Sequence, residues 1–172
     1  TCISGKYVYD LINSIYSIKN MKINIFGADS NPKSKISYIK KIYKIPRPNK
    51  EKLYLKKIIL LCKKEKINII FPGSEAETVL FSKNKNILKK KNINILISDY
   101  KIVASLIDKR KMFEFLEKKK VSVGMWSSVS SLKDLKTSAR KLGYPLTKVV
   151  LKPRKGAGSR GVIILDKKIK NF

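Results

Sequence analysis

Lysine set beside a run of glycines is chemistry for an anion, and residues 150–162 of this 172-residue chain carry both. The stretch Val150-Leu151-Lys152-Pro153-Arg154-Lys155-Gly156-Ala157-Gly158-Ser159-Arg160-Gly161-Val162 places Lys152 at the end of an apolar, β-branched run and follows it with a cationic turn. The glycines remove side chains where backbone must approach a ligand closely or turn back sharply. Consecutive amides in such a turn form a concave, electropositive nest for an anion. Lys152 adds a point charge from the strand, and Arg154, Lys155 and Arg160 surround the turn with more. The guest that fits is a polyphosphate such as that of an adenine nucleotide. The same composition also describes an ordinary solvated surface hairpin. The spacing is neither a P-loop nor a dinucleotide fingerprint, because a strand rather than a helix follows the glycines.

The elements that must hold this turn can be read outward from it. Residues 149–153 and 162–165 are short apolar strands, so the turn is the tip of a hairpin. Before it, Leu132, Leu135, Ala139 and Leu142 mark a helix that Gly143 ends. Farther upstream come a short helix over residues 102–107, the pair Asp108-Lys109, a helix turning Met112, Phe113 and Leu116 inward, and a polar segment over residues 127–131. The first hundred residues alternate instead. A helix over residues 7–18, with Val8, Leu11, Ile12 and Ile15 on one face, leads to a buried strand over residues 21–27 that ends at Asp29. A helical stripe of Leu55, Ile58, Ile59 and Cys62 precedes a strand at 67–71 and the Pro72-Gly73 break, and a helix at 78–90 precedes a strand at 93–97. Alternation of this kind predicts a parallel sheet with crossover helices. Ligands of such sheets bind outside the carboxyl ends of the strands, where Asp29, Ser74, Glu75 and Glu77 fall. Ser74 and Glu77 have the spacing of a capping box, which leaves Asp29 and Glu75 as candidates on the substrate side. The domain boundary is expected near residue 100, and no internal repeat is present.

With these residues in place, the chain resembles the ATP-grasp superfamily, in particular members like the carbamoyl-phosphate synthase large chain and other carboxylate-amine ligases. The likeness rests on Tyr144-Pro145, on Val149-Val150-Leu151-Lys152-Pro153 and on Gly156-Ala157-Gly158-Ser159-Arg160-Gly161-Val162. It extends to Asp108-Lys109 before Met112-Phe113 and, more faintly, to Gly27-Ala28-Asp29-Ser30-Asn31-Pro32 and Pro72-Gly73-Ser74-Glu75-Ala76-Glu77. The resemblance implies an α/β fold: a Rossmann-like pre-ATP-grasp domain over residues 1–100, its first strand missing, and the first part of an α+β ATP-grasp domain over residues 101–172. It implies that Lys109, Lys152, Gly156, Ala157, Gly158, Ser159, Arg160 and Gly161 bind ATP, with Arg110 an alternative to Lys109. It further implies activation of a small carboxylate as an acyl phosphate, followed by attack of an amine or related nucleophile. ATP and magnesium would be the cofactors. The family's metal carboxylates, adenine-hinge strand and substrate arginine would lie beyond Phe172, so that this chain alone would be inactive. Ser127 and Ser128 depart from relatives that carry a proline turn there.

Composition narrows the alternatives. The formal net charge is +28, from 40 Lys and Arg against 12 Asp and Glu, and only five of the basic residues are arginine. Such charge gives sequence-independent affinity for nucleic acid. However, the lysines are spread along the chain, and Lys63-Lys64, Lys89-Lys90-Lys91 and Lys118-Lys119-Lys120 fall near helix C-termini, where they complement the helix dipole. No aromatic-and-basic RNA-recognition motif appears, so no specific nucleic-acid partner is expected. The absence of histidine removes Ser-His and Cys-His catalysis and most zinc sites from these residues. Phosphoryl transfer loses nothing by that, since it needs positioning and charge neutralisation more than an imidazole. Cys2 and Cys62 show no disulfide or metal spacing, which fits packing roles in a reducing cytoplasm. No apolar run approaches the roughly 18 residues of a membrane span, and the Thr1-Cys2-Ile3-Ser4-Gly5 start reads as a chain missing its beginning. ATP and a small carboxylate are the expected partners, with room for a homo-oligomer. A non-catalytic module for a nucleotide or another anionic ligand is the second reading, and a basic nucleic-acid-binding protein the third.

Overall fold

The computed structural model describes residues 1–5, 8–32 and 36–167. The chain is mixed α/β and divides into two compact units, Thr1–Val103 and Ala104–Phe172.

In the first unit, helix α1 (Val8–Tyr16) turns Val8 and Ile12 inward against Ile3 and the partly buried Ile25, Ile39 and Ile42. Strand β1 (Ile25–Asp29) pairs in parallel with β2 (Ile39–Lys44). Both strands depart from the sequence reading. Residues 21–24 are not strand, and Met21 stands 66% exposed, because the chain acquires a hydrogen-bonding neighbour only from Ile25 onward. Strand β2 escaped prediction because its lysines interrupt the apolar alternation, leaving Ile39, Ile42 and Tyr43 half-buried.

Helix α2 (Glu51–Glu65) buries Tyr54, Ile58, Leu61 and Cys62, at i, i+4, i+7 and i+8. The inward face is therefore rotated from the expected stripe, and Leu55 and Ile59 only flank the core. Lys63 and Lys64 occupy its last turn, as the dipole favours. The segment predicted as one helix over residues 78–90 starts earlier and breaks in two, α3 (Glu75–Lys83) and α4 (Lys85–Lys89), with Asn84 between them. Asn84 sends its side-chain amide back to the Leu80 carbonyl at 2.8 Å, competing with the helix ladder. Strands β3 (Ile69–Ile70) and β4 (Asn94–Ile95) pair in parallel, each shorter than its apolar run. The two parallel pairs bear out the predicted strand direction, while the described residues form separate two-stranded sheets rather than one continuous sheet. The core of this unit gathers Tyr54, Leu80, Phe81 and Leu88, all essentially inaccessible, around α2, α3 and α4. Each of the buried Leu and Phe side chains contributes about 1.5–3 kcal/mol by leaving water. Helix α5 (Tyr100–Leu106) follows.

The second unit is smaller and more open. Helix α6 (Lys109–Lys118) leaves Met112, Phe113 and Leu116 only half-buried, so the inward face expected of them is partial. Phe113 stacks on Trp126 at 5.2 Å between ring centroids. Helix α7 (Leu132–Lys141) buries Ala139, with Leu135 and Leu142 packed nearby. Leu132, predicted to face inward, is 62% exposed, because it opens the helix directly after the Ser131 cap and lies outside the packed turn. Gly143 ends the helix in a left-handed conformation, as read from the sequence, and its amide returns to the Arg140 carbonyl at 3.0 Å. Strands β5 (Val149–Leu151) and β6 (Ile163–Leu165) form the antiparallel hairpin expected, with Val149 opposite Leu165 and Leu151 opposite Ile163. Val149 and Leu165 pack on Ala139, which fixes the hairpin against α7.

Candidate functional site

The hairpin tip is positioned from both of its ends. At the strand end, β5 and β6 lock the register through Val149 and Leu165. At the turn, Pro153 Cγ would lie 2.8 Å from a Cβ placed on Gly161, which also holds φ at +71°. A side chain there is excluded by both space and backbone. Gly158 (φ +66°) and Ser159 (φ +58°) are also left-handed, whereas a Cβ placed on Gly158 would meet nothing within 4 Å. Successive residues of this conformation curl backbone amides into a concavity suited to an anion.

A second element grips the turn. Asp108 caps α6, its Oδ1 accepting from the Lys111 amide at 3.3 Å. The same carboxylate, 3% exposed, accepts from Arg154 Nε at 2.7 and 2.8 Å. The Lys109 amide donates to the Arg154 carbonyl at 3.0 Å, and Lys109 Nζ donates to the Gly156 carbonyl at 2.8 Å. Arg154 holds the Asp108 carboxyl far below its ordinary range, at about 2, with the Lys111 amide adding to the effect and burial opposing it.

This geometry sorts the residues singled out in the sequence. Lys109 and the loop carbonyl of Gly156 are brought into contact. Lys152, Lys155 and Arg160 stand exposed around the turn, together with Ala157 and Ser159. Arg154, read as one more cation around the turn, instead has its Nε on Asp108, because a buried carboxylate requires a counterion. Arg110, the alternative to Lys109, pairs with Glu114 one turn along its own helix at 2.7 Å.

In the first unit, Asp29 closes β1 and is buried. Burial raises its pKa, but amide hydrogen bonds from Asn31 (2.9 Å) and Ser4 (3.0 Å) outweigh it, and the net direction is down. Glu75 is exposed in the first turn of α3. Ser74 is the N-cap of that helix, its Oγ accepting from the Glu77 amide at 3.3 Å, as the spacing indicated. The return bond of the box comes to Glu77 from the Gly73 amide at 3.1 Å, with Ser74 Oγ also donating to that carboxylate.

Sequence reasoning treated Glu77 as a cap and missed its second role. It is 2% exposed, accepts a short hydrogen bond from the Tyr54 hydroxyl, and lines a small cavity with Asp29, Ser30, Tyr54 and Ser74. Burial first, and Glu77 second, push the Tyr54 hydroxyl pKa up. The available signal was its placement: Glu77, Leu80 and Phe81 fall at i, i+3 and i+4, so Glu77 shares the apolar face of α3.

Among the described residues no three His, Cys, Asp or Glu side chains converge as metal ligands. No described helix is long and apolar enough to cross a membrane.

This mixed α/β chain, with a lysine-bearing, glycine-rich hairpin held to a preceding helix, is similar in fold to part of a biotin carboxylase domain. Over 74% of its length it superposes on part of the biotin carboxylase domain of Hydrogenobacter thermophilus 2-oxoglutarate carboxylase, determined as a dimer with MgADP, ADP and bicarbonate, with a TM-score of 0.52 and 22% identity. The biotin carboxylase subunit of a pyruvate carboxylase matches 91% of the chain at 22% identity, with a TM-score of 0.48. The chain spans 28% and 34% of those two proteins. No protein-family model matches the sequence, and no curated protein matches it.

Proposed function

We propose that this chain is the amino-terminal part of an ATP-dependent ligase. Residues 1–100 form its Rossmann-like pre-ATP-grasp domain, and residues 101–172 begin its ATP-grasp domain, with the hairpin folding over the nucleotide's phosphates. The observation that carries the reading is the contact of Lys109 Nζ with the Gly156 carbonyl at 2.8 Å, which sets a second ammonium at the glycine-rich turn that Lys152 already flanks.

Each residue has a part in that reading. Lys152 neutralises phosphate from the strand end. The amides from Gly156 to Gly161, with Ala157 and Ser159 between, cradle the phosphate oxygens, and Arg160 adds charge at the rim. Lys109 exchanges its carbonyl partner for a phosphate oxygen, a stronger, charge-assisted bond. Asp29 or Glu75 serves the substrate side. When bound, ATP supplies the phosphoryl group that activates a small carboxylate for attack by an amine or related nucleophile. That the 2-oxoglutarate carboxylase domain holds MgADP and bicarbonate supports ATP with magnesium and a small carboxylate as ligands, and its dimeric state supports self-association of the whole enzyme. The part these residues take in that reading is binding and orientation of the nucleotide. The free thiols of Cys2 and Cys62 support a cytoplasmic setting.

Calorimetric titration with a nonhydrolysable ATP analogue tests the reading. Lys152→Ala should weaken binding about tenfold, or 1.4 kcal/mol, and unchanged affinity removes Lys152 from the site. In the complete enzyme, hydroxylamine should trap an acyl hydroxamate with release of ADP when the right carboxylate is supplied.

A further inference from the structure

The cations of the hairpin are not equivalent. Lys152, Lys155 and Arg160 lie exposed, whereas Arg154 has its Nε committed to both oxygens of Asp108 at 2.7 and 2.8 Å. The Asp108 side chain is 4% exposed against 53% for Arg154, so the pair is a buried anion held by a cation that reaches in from the surface. A carboxylate beside an anion site is repulsive to the ligand, and its presence there needs a compensating role. The backbone supplies one. The Lys109 amide donates to the Arg154 carbonyl at 3.0 Å while Lys109 Nζ reaches the Gly156 carbonyl at 2.8 Å. Residues 45 to 47 positions apart are thereby joined at three points, through the side chain of Arg154, its carbonyl, and the carbonyl two residues on.

We infer that Arg154 is a positioning residue rather than a phosphate contact: gripped by Asp108, it straps the entry of the glycine-rich turn to the first turn of α6 and so keeps Lys109 at the turn's mouth. The consequence for nucleotide binding rests on the phosphate reading proposed above; the strap itself does not.

Asp108→Asn separates the pair from the cap, because asparagine caps a helix as well as aspartate does but carries no charge for Arg154. Two measurements on the full chain decide the matter, with Asp108→Asn, Arg154→Ala and the double variant compared. Without ligand, hydrogen exchange of the Lys109 amide, which donates to the Arg154 carbonyl, should quicken several-fold in both single variants and no further in the double. Far-ultraviolet circular dichroism and the emission of Trp126, which stacks on Phe113 of α6, should stay native. With a nonhydrolysable ATP analogue, Asp108→Asn should weaken binding even though it removes a negative charge near the phosphates. The two losses should not add, as expected of residues acting through one contact.

Unchanged exchange in Asp108→Asn overturns the inference, as does tighter nucleotide binding by that variant or additive losses in the double. Should Arg154→Ala fail to fold, Asp108→Asn alone still yields both readouts. If the unmodified chain binds no nucleotide while exchange quickens in the variants, the strap stands and the phosphate reading falls.

Discussion

Asp108 is one of 12 acidic residues in a chain of net charge +28, and the structure buries it against an arginine. Its folded pKa of about 2 lies below the unfolded aspartate value of about 3.9. A depressed acid stabilises the fold above its unfolded pKa and loses that contribution as pH falls toward the folded value. Arg154→Ala removes the main cause of the depression. The stability gap between the unmodified chain and this variant should therefore be widest above about pH 4 and close toward about pH 2. Urea melts across that window measure it, and a gap that widens on acidification contradicts the pairing. Cys62 offers a second check at this scale, because burial pushes its thiol up to about 11. A thiol-specific reagent at neutral pH should modify the half-buried Cys2 well before Cys62.

At the scale of elements, α2 and α3 are joined by a polar contact inside an apolar core. Tyr54 donates to Glu77, and removing the hydroxyl leaves a buried carboxylate with the Gly73 amide and Ser74 as its remaining donors. Tyr54→Phe should cost about 1–3 kcal/mol, the range for an unsatisfied buried acceptor, as read by urea unfolding. The hairpin offers a contrast between two glycines. At Gly158 alanine meets open space and costs only the left-handed backbone, about 1–2 kcal/mol. At Gly161 it meets Pro153 as well, so Gly161→Ala should lower the melting temperature further and weaken the nucleotide analogue more. Much of this architecture was legible locally. The caps at Ser74, the stop at Gly143 and the hairpin itself each depend on neighbours a few residues away. Strand limits were less so. A strand exists only where a partner lies alongside, and residues 21–24 have none while Ile39–Lys44 find β1 despite their lysines.

For the whole molecule, excess lysine dominates behaviour at a distance. Surface charge of one sign attracts polyanions without sequence preference, and such binding weakens steeply with salt as counterions return. Labelled single-stranded oligonucleotides of unrelated sequence should bind alike at low salt and release together as salt rises. On the proposed function the nucleotide analogue should lose less, since backbone amides would carry part of its binding; a salt-resistant preference for one oligonucleotide would instead favour a nucleic-acid-binding protein.

What the residues alone determined was the glycine-rich hairpin and the alternation of strand and helix, because glycines between apolar runs and the periodicity of apolar side chains act over short stretches of chain. What only the folded chain decided was the work of individual charges. Arg154 resembles its basic neighbours until a carboxylate 46 residues away is buried against it, and Glu77 resembles a cap until Tyr54 closes over it. Burial and the meeting of distant segments set the energy of a charged group, and neither is written at the position the group occupies.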